Sequence, residues 1–186
     1  MIFAETERLV LRTLEKDELP RLVKLLDVWD VVRWLTVVPF PYTMRDAETF
    51  YAEMAPTYQN NAPEFFTLAL KSDNLLIGGV GLHAPRTPEP VAGESEIGYW
   101  LGKDFWGRGL MSEAACAVVE IAFSRPTTRA IGATTSPGNK ASQCVLRKAG
   151  LRDLGIMPRP YTALRGSDEV VRWLMTREEY EREQTA

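Results

Sequence analysis

Seven short segments of the chain have the residue composition and two-residue period of β-strands: residues 8–14, 64–70, 75–82, 96–101, 129–135, 151–157 and 169–176. Five other segments predict helices: residues 15–28, 43–59, 110–123, 139–148 and 177–185. Hairpins combined with crossover helices are typical of a mixed sheet. The pattern therefore predicts an α/β fold, with six or seven strands flanked by helices, in a single domain over residues 1–186.

The segments between these elements follow no regular period. Residues 28–42 carry Trp29, Trp34, Phe40 and Tyr42 among prolines. These aromatic side chains either line an acceptor site or fill the core, and the pattern leaves both interpretations open. A proline-bearing loop is expected at 84–93, and an irregular hairpin connection at 159–166.

Charge and hydropathy narrow the classes of function. The net charge of −3 and the scattered Lys and Arg residues disfavour nucleic acid as a partner. No apolar run approaches the roughly 20 residues that cross a bilayer, and the first residues lack a secretory pattern. We therefore expect a cytoplasmic protein with no membrane partner. The sequence leaves open whether it forms a homo-oligomer.

Few residues are suited to metal or thiol chemistry. The chain has one histidine, His83, and two cysteines, Cys116 and Cys144, so no metal site is predicted. His83 is expected to be solvated or hydrogen-bonded. Both cysteines fall in predicted helices, and we expect small buried thiols without a disulfide.

A glycine-bearing turn, Trp106-Gly107-Arg108-Gly109, joins the strand at 96–101 to the helix at 110–123. Glycine permits positive φ, and the first N–H groups of a helix lack partners within it, so such a turn suits a phosphate or pyrophosphate. The spacing matches neither a P-loop nor a dinucleotide fingerprint. A plain connecting turn is the alternative interpretation. Lys103 and Arg108 flank the turn, as phosphate contacts or as solvated charges.

Residues 106–114, Trp-Gly-Arg-Gly-Leu-Met-Ser-Glu-Ala, resemble the acyl-CoA-binding motif of GNAT N-acetyltransferases. The similarity is to the branch that includes the ribosomal-protein N-terminal acetyltransferases, and residues 96–101 resemble that branch's central strand. One departure is Met111, where the family usually has Gly or Ala. Its side chain must then point away from the pyrophosphate.

A second match lies at residues 139–151, Asn-Lys-Ala-Ser-Gln-Cys-Val-Leu-Arg-Lys-Ala-Gly-Leu, which resemble the family's Asn-x-x-Ser helix. With the Thr-Glu-Arg-Leu-Val-Leu-Arg start at residues 6–12, the resemblance covers nearly the whole chain. It implies a mostly antiparallel sheet with a splayed central strand.

The resemblance also implies a set of site residues. Those expected to hold acetyl-CoA are Trp100, Leu101, Gly102, Trp106, Gly107, Arg108, Gly109, Leu110, Met111, Ser112 and Asn139. The main chain at 100–102 would hold the pantetheine arm and supply an oxyanion donor. Ser142 would protonate the leaving thiolate. Alternatively, Asn139 is simply the N-cap of its helix and Ser142 a hydroxyl of the capping turn.

The incoming amine must be neutral to act as a nucleophile, so a base is needed to deprotonate its ammonium form. Glu94 and Glu96 are two residues apart, so in a strand their side chains share a face. Glu96 lies nearer the proposed thioester and is the predicted base, acting directly or through water. The alternative is a solvated carboxylate at the end of a strand.

These features predict an acetyl-CoA-dependent N-acetyltransferase that acts on a primary amine. The resemblance implies a protein N-terminal α-amine or, alternatively, a small-molecule amine such as an antibiotic or a polyamine. A noncatalytic module that binds acyl-CoA is the competing interpretation from another class. Release of the thiol in the presence of an amine distinguishes the enzyme from the module.

Overall fold

The computed structural model describes residues 1–59, 63–87, 89–160 and 163–185. The strands are β1 Ile2–Glu5, β2 Leu9–Arg12, β3 Phe65–Leu70, β4 Leu76–His83, β5 Glu94–Leu101, β6 Ala130–Thr135, β7 Arg152–Pro158 and β8 Glu169–Thr176. The helices are α1 Leu19–Leu26, α2 Trp29–Val32, α3 Met44–Gln59, α4 Leu110–Ser124, α5 Lys140–Lys148 and α6 Arg177–Gln184. Short 3-10 helices precede α1 at Lys16–Glu18 and α4 at Lys103–Phe105.

The strands form one eight-stranded sheet in the order β1-β2-β3-β4-β5-β6-β8-β7. The predicted mixed, mostly antiparallel class is confirmed, with β5 and β6 as a parallel pair. This pair covers Glu94–Glu96 against Ala130–Gly132, the first three residues of each strand, although both strands continue beyond them. The early end of the ladder agrees with the expected splay of the central strand. Glu96 lies at its last paired position.

Two elements go beyond the sequence prediction. Strand β1 adds an eighth strand to the six or seven expected, and it pairs antiparallel with β2. Helix α2 forms one turn inside the segment predicted to be irregular. The other strands and helices lie where they were expected, with ends that differ by a few residues. The predicted connection at 159–166 lies partly outside the described residues.

The chain divides into two compact units. The first comprises Met1–Gly81, Tyr99–Ala114 and Ala163–Gly166, and the second comprises Leu82–Gly98, Ala115–Thr162 and Ser167–Ala186. The expected single domain stays a prediction. Strand β5 begins in the second unit and ends in the first.

The first unit has an apolar core in which α1 supplies one face. Leu19, Leu22 and Leu26 repeat at helical spacing and are at most 3 % exposed. Tyr42 belongs to this core, whereas Trp29 and Phe40 are exposed and pack edge to face at 5.3 Å between ring centroids. The aromatic residues of the irregular segment are therefore divided between core and surface.

The buried apolar residues of the second unit include Ile131 and Ala133 of β6, Val171 and Trp173 of β8, and Val118 and Ala122 of α4. Trp173 is fully buried in β8, and its Nε1–H donates to the Thr135 hydroxyl at 3.0 Å. The two cysteines are both free. Cys116 is half-buried in α4, but Cys144 is exposed on α5, so the prediction of a buried thiol at Cys144 was wrong. Its position on the helix faces away from the apolar side marked by Leu146.

Candidate functional site

The glycine turn has the backbone geometry that the sequence predicted. Gly107 and Gly109 have φ angles of +72° and +75°, and α4 begins directly afterwards at Leu110. A Cβ added at Gly107 would meet nothing within 4 Å, and one at Gly109 would meet Arg8 Nη2 at 3.6 Å. Backbone conformation, rather than lack of space, therefore requires glycine at both positions. The first N–H groups of α4 follow this turn and have no partner within the helix.

The end of β5 leads into the turn through hydrogen bonds in the first unit. The Gly102 N–H donates to the Ile77 carbonyl at 2.8 Å, and the Trp106 indole N–H donates to the Leu101 carbonyl at 2.7 Å. The Trp100 side chain packs against the core of the same unit. These hydrogen bonds fix the backbone that leads from β5 into the glycine turn. The predicted contacts of residues 100–102 with the pantetheine arm stay a prediction.

A cluster beneath the turn was missed in the sequence. Glu113, in the first turn of α4, accepts hydrogen bonds from the Thr6 hydroxyl and from the Arg8 backbone N–H, the latter at 2.9 Å. The Arg8 guanidinium also donates from Nε to Glu113 at 2.7 Å and from Nη1 to the Arg108 carbonyl at 2.9 Å. Its Nη2 forms an ion pair with Glu113 Oε2 at 2.7 Å. Thr6 and Arg8 belong to the motif that opens the chain, and nothing local in the sequence indicates their partner.

The cationic residues near the turn have different surroundings. Lys103 forms an ion pair with Asp30 at 2.6 Å. The hydrogen bond from Lys103, followed by its charge, holds the pKa of the Asp30 carboxyl below its ordinary value. Arg8 and Arg108 help to line a surface pocket of about 430 Å³, together with Lys71. Lys103 is therefore engaged with Asp30, while Arg108 remains a candidate for contact with an anion.

The two carboxylates of β5 lie in the second unit and are both buried. Glu94 accepts from the Val91 N–H at 3.0 Å and is ion-paired with Arg172. Glu96, only 5 % exposed, accepts from the Arg86 N–H at 2.9 Å and from the Thr134 hydroxyl at 3.3 Å. Glu96 is therefore not the solvated carboxylate of the alternative interpretation. Because the charge of Glu94 is compensated by Arg172, Glu96 is the better candidate base.

His83 lies on the same side of β5. A Cβ added at Gly98 would lie 3.4 Å from the His83 Nε2. The His83 Nδ1 is 2.9 Å from the Ala84 carbonyl oxygen, which can only accept, so Nδ1 carries the proton. The expectation of a hydrogen-bonded ring is confirmed.

The helix α5 begins with the predicted cap. The Asn139 side-chain oxygen accepts from the Ser142 backbone N–H at 3.2 Å. In the same turn, the Gln143 amide donates to the Pro137 carbonyl at 3.0 Å. Asn139 is therefore the N-cap of α5, as the alternative interpretation stated. The cap uses the backbone N–H of Ser142, and proton donation by the Ser142 hydroxyl stays a prediction.

The described residues carry neither a metal cluster nor a membrane span. Within residues 1–59, 63–87, 89–160 and 163–185, no group of three or more His, Cys, Asp or Glu side chains is placed to hold a metal ion. Among the helices of the same residues, none combines the length and apolar character needed to cross a membrane.

Comparison with protein-family models decides the family. Residues 8–152 match the model described as the acetyltransferase (GNAT) domain. The chain belongs to the GNAT acetyltransferase family. It is therefore an acyltransferase, as the two motifs of the glycine turn and the Asn-x-x-Ser helix predicted.

Similar proteins agree with this membership in the GNAT family. The chain is 27 % identical over 163 residues to the uncharacterized N-acetyltransferase p20 of Bacillus licheniformis. The alignment covers 87 % of this chain and 88 % of that protein. The fold matches RimL, a ribosomal L7/L12 alpha-N-protein acetyltransferase in complex with coenzyme A, with a TM-score of 0.75 at 20 % identity over 95 % of this chain and 98 % of RimL. It also matches the microcin C7 self-immunity acetyltransferase MccE in complex with acetyl-CoA and AMP, with a TM-score of 0.74 at 16 % identity over 92 % and 93 % of the two chains.

One departure from the GNAT pattern is accommodated by packing. Met111 stands where the family usually has Gly or Ala, and its side chain is only 7 % exposed. Leu110 beside it is 2 % exposed. Both side chains are therefore buried, which agrees with the expected direction of the Met111 side chain away from the pyrophosphate.

Proposed function

We propose that this protein transfers the acetyl group of acetyl-CoA to a primary amine, with a protein N-terminal α-amine as the acceptor. The glycine turn at the start of α4 carries the proposal. It presents backbone N–H groups at the positive end of a helix dipole, an arrangement that favours a diphosphate. We assign the diphosphate of the donor to residues 106–112.

The charge beside the turn supports an anionic ligand. Arg8, Lys71 and Arg108 are three cationic side chains at the pocket of about 430 Å³, which Glu7 also lines. Two of them are partly compensated, because Arg8 pairs with Glu113 and Lys71 pairs with Glu5. We therefore assign the main attraction to the backbone donors and a supporting role to Arg108.

The chemistry is assigned to two residues of the second unit. Glu96 takes a proton from the acceptor ammonium, directly or through water, so that the neutral amine nitrogen attacks the thioester carbon. The carbon–sulfur bond then breaks, and Ser142 gives its proton to the departing thiolate. The excess proton on the attacking nitrogen passes to Ser142, directly or through water, so that a neutral amide forms and the hydroxyl is restored. An N–H donor at residues 100–102 stabilises the oxyanion of the tetrahedral intermediate. Asn139 contacts the pantetheine arm.

The acceptor is supported by similarity alone. RimL is named for acetylation of a protein α-amine, which favours a protein N-terminus here. MccE is named for self-immunity to microcin C7, so a small-molecule amine is the second candidate. Both structures show the same fold at low identity, and fold does not determine the acceptor.

A screen for thiol release tests the proposal. The protein is incubated with acetyl-CoA and either short peptides with free α-amines, the same peptides with blocked α-amines, or small polyamines and amino-bearing antibiotics. We expect coenzyme A release with the free peptides only. Release with small amines alone would establish the second candidate. Tight binding of coenzyme A without release in any arm would show a noncatalytic module and overturn the proposal.

A further inference from the structure

We propose that Arg8, held by Glu113, is a positioning residue that fixes the glycine turn in the conformation that binds the donor's diphosphate. The inference rests on the proposed assignment of the diphosphate to residues 106–112. The Arg8 side chain reaches the turn through a hydrogen bond to the Arg108 carbonyl.

Arg8 contacts the peptide between Arg108 and Gly109. Its carbonyl accepts from Arg8 Nη1 at 2.9 Å. In a trans peptide the N–H points opposite to the carbonyl, so the Gly109 N–H points away from Arg8. The bond to Arg8 therefore determines the direction in which this donor is presented.

The glycine turn would not hold this orientation by itself. Gly109 has a φ of +75°, and glycine populates positive and negative φ about equally. Rotating the Arg108–Gly109 peptide by half a turn interconverts turn types and meets little steric resistance beside glycine. After such a rotation the carbonyl would face the diphosphate and repel it. The hydrogen bond from Arg8 favours one of the two orientations.

Glu113 is a carboxylate in the first turn of α4. A carboxylate in the first turn of a helix can compete with an anion for the free N–H groups there. Here the carboxylate is drawn to Thr6 and Arg8 by three hydrogen bonds, two to Oε1 and one to Oε2, and by the ion pair between Arg8 Nη2 and Oε2. The guanidinium also compensates the charge of Glu113. Burial acts to raise the pKa of Glu113, but the hydrogen bonds from Thr6 and Arg8 outweigh it and hold this pKa below its ordinary value.

The test compares two donors that differ in the diphosphate. Acetyl-CoA carries it, and S-acetylpantetheine does not, although both present the same thioester. Arg8→Gln should raise the KM for acetyl-CoA about ten- to a hundredfold with kcat nearly unchanged, the range expected for losing a hydrogen bond between a charged group and a carbonyl. The kcat/KM for S-acetylpantetheine should stay within about twofold. Arg8→Lys should show the same selectivity, because an ammonium cannot bridge Glu113 and the Arg108 carbonyl as a planar fork does.

Two controls make the result decisive. Arg152→Gln breaks a comparable ion pair with Glu179, whose Nε–Oε1 distance is 2.7 Å, and should leave both donors unaffected. Melting temperatures of all variants are recorded with and without coenzyme A. If Arg8→Gln does not fold, the two donors are compared with Arg8→Lys and Thr6→Val. The second of these variants removes one hydrogen bond to Glu113. Equal losses with both donors, or no loss with acetyl-CoA, would overturn the role of Arg8. A wild-type protein that uses neither donor would instead refute the proposed function.

Discussion

Glu96 is a buried carboxylate whose contacts come from a backbone N–H and a hydroxyl. Glu94, two residues earlier on the same face of β5, is ion-paired with Arg172. Gly132 permits that ion pair, since a Cβ there would overlap both Glu94 Oε1 and Arg172 Nη1. The two similar carboxylates therefore have different surroundings. Glu94 is part of a buried ion pair, and Glu96 is the one to which we assign the proposed proton transfer.

Glu96→Gln should lower kcat by about a hundredfold or more and remove the rise of kcat with pH, because an amide cannot accept the amine's proton. The affinity for coenzyme A should change little. Rate measurements across pH with saturating acetyl-CoA check both statements. The matched variant Glu94→Gln should instead lower stability, because it leaves the Arg172 charge buried without its partner. An unchanged pH profile for Glu96→Gln would remove this residue from the mechanism.

The cap of α5 allows the roles of Asn139 and Ser142 to be separated. The Asn139 oxygen bonds the Ser142 backbone, so Ser142→Ala keeps the cap and should leave the melting temperature nearly unchanged. It should slow kcat about ten- to a hundredfold if the hydroxyl protonates the thiolate. Asn139→Asp keeps a capping oxygen but loses the amide donors, and should weaken coenzyme A binding without loss of stability. Steady-state rates measure kcat, calorimetry measures the affinity for coenzyme A, and thermal melts measure stability. Full kcat in Ser142→Ala would mean that another group donates the proton.

At the scale of elements, the glycine turn and the helix α4 that follows it form one continuous segment, to which we assign the diphosphate. The strand β5 ends, a short 3-10 helix and two glycines of positive φ follow, and α4 begins with its free N–H groups facing the turn. Trp106 donates a hydrogen bond to the Leu101 carbonyl before the turn, and Arg8 donates one to the Arg108 carbonyl within it. A change in the backbone of the turn should therefore affect ligand binding more than folding.

Gly109→Val should abolish measurable coenzyme A binding, because a β-branched residue does not adopt a φ of +75° and the turn must rearrange. Gly155→Val is the matched control. Gly155 has a φ of +95° on β7, and a Cβ there would also meet nothing within 4 Å. Both variants carry similar backbone strain, of about 1–2 kcal/mol. Titration calorimetry should show loss of affinity in the first variant only, and equal affinity in both would refute the assignment of the diphosphate to this turn.

At the scale of the whole molecule, stability should fall at both ends of the pH range. A backbone N–H of Thr176 is the largest cause that lowers the pKa of Glu179 below its ordinary value, and the pKa of Glu113 is also lowered. The unfolded chain therefore binds more protons in acid, and this stabilisation is lost as pH falls through about 4.5 and below. Burial raises the pKa of Tyr42 and Tyr58 from 10.0 to about 12. The unfolded chain then loses protons first in base, so stability falls again above about pH 10.

Urea unfolding at several pH values checks this prediction. We expect a plateau of stability between about pH 6 and pH 9, with a decline on each side. Glu113→Gln combined with Glu179→Gln should flatten the acid side and leave the alkaline side unchanged. Tyr42→Phe should reduce the alkaline decline alone. An acid decline as steep in the double variant as in the wild type would show that other carboxylates control it.

The sequence by itself determined the parts that depend on local pattern. Helix α1, with Leu19, Leu22 and Leu26 on one face, follows from its 3.6-residue period. The positive φ at Gly107 and Gly109 follows from two glycines placed between a strand and a helix. The cap at Asn139 likewise follows from residues within one turn. Each of these depends on neighbours in the chain.

Only the tertiary structure decided the features that join distant residues. Strand β1 has four residues, too few to show a period, and is defined by its pairing with β2. The Arg8 backbone N–H and Glu113 are 105 residues apart, and Glu94 and Arg172 are 78 apart. No local pattern indicates which carboxylate is buried or which arginine reaches it. The difference between Glu94 and Glu96, and the support of the glycine turn by Arg8, arise because the fold brings these distant charges together.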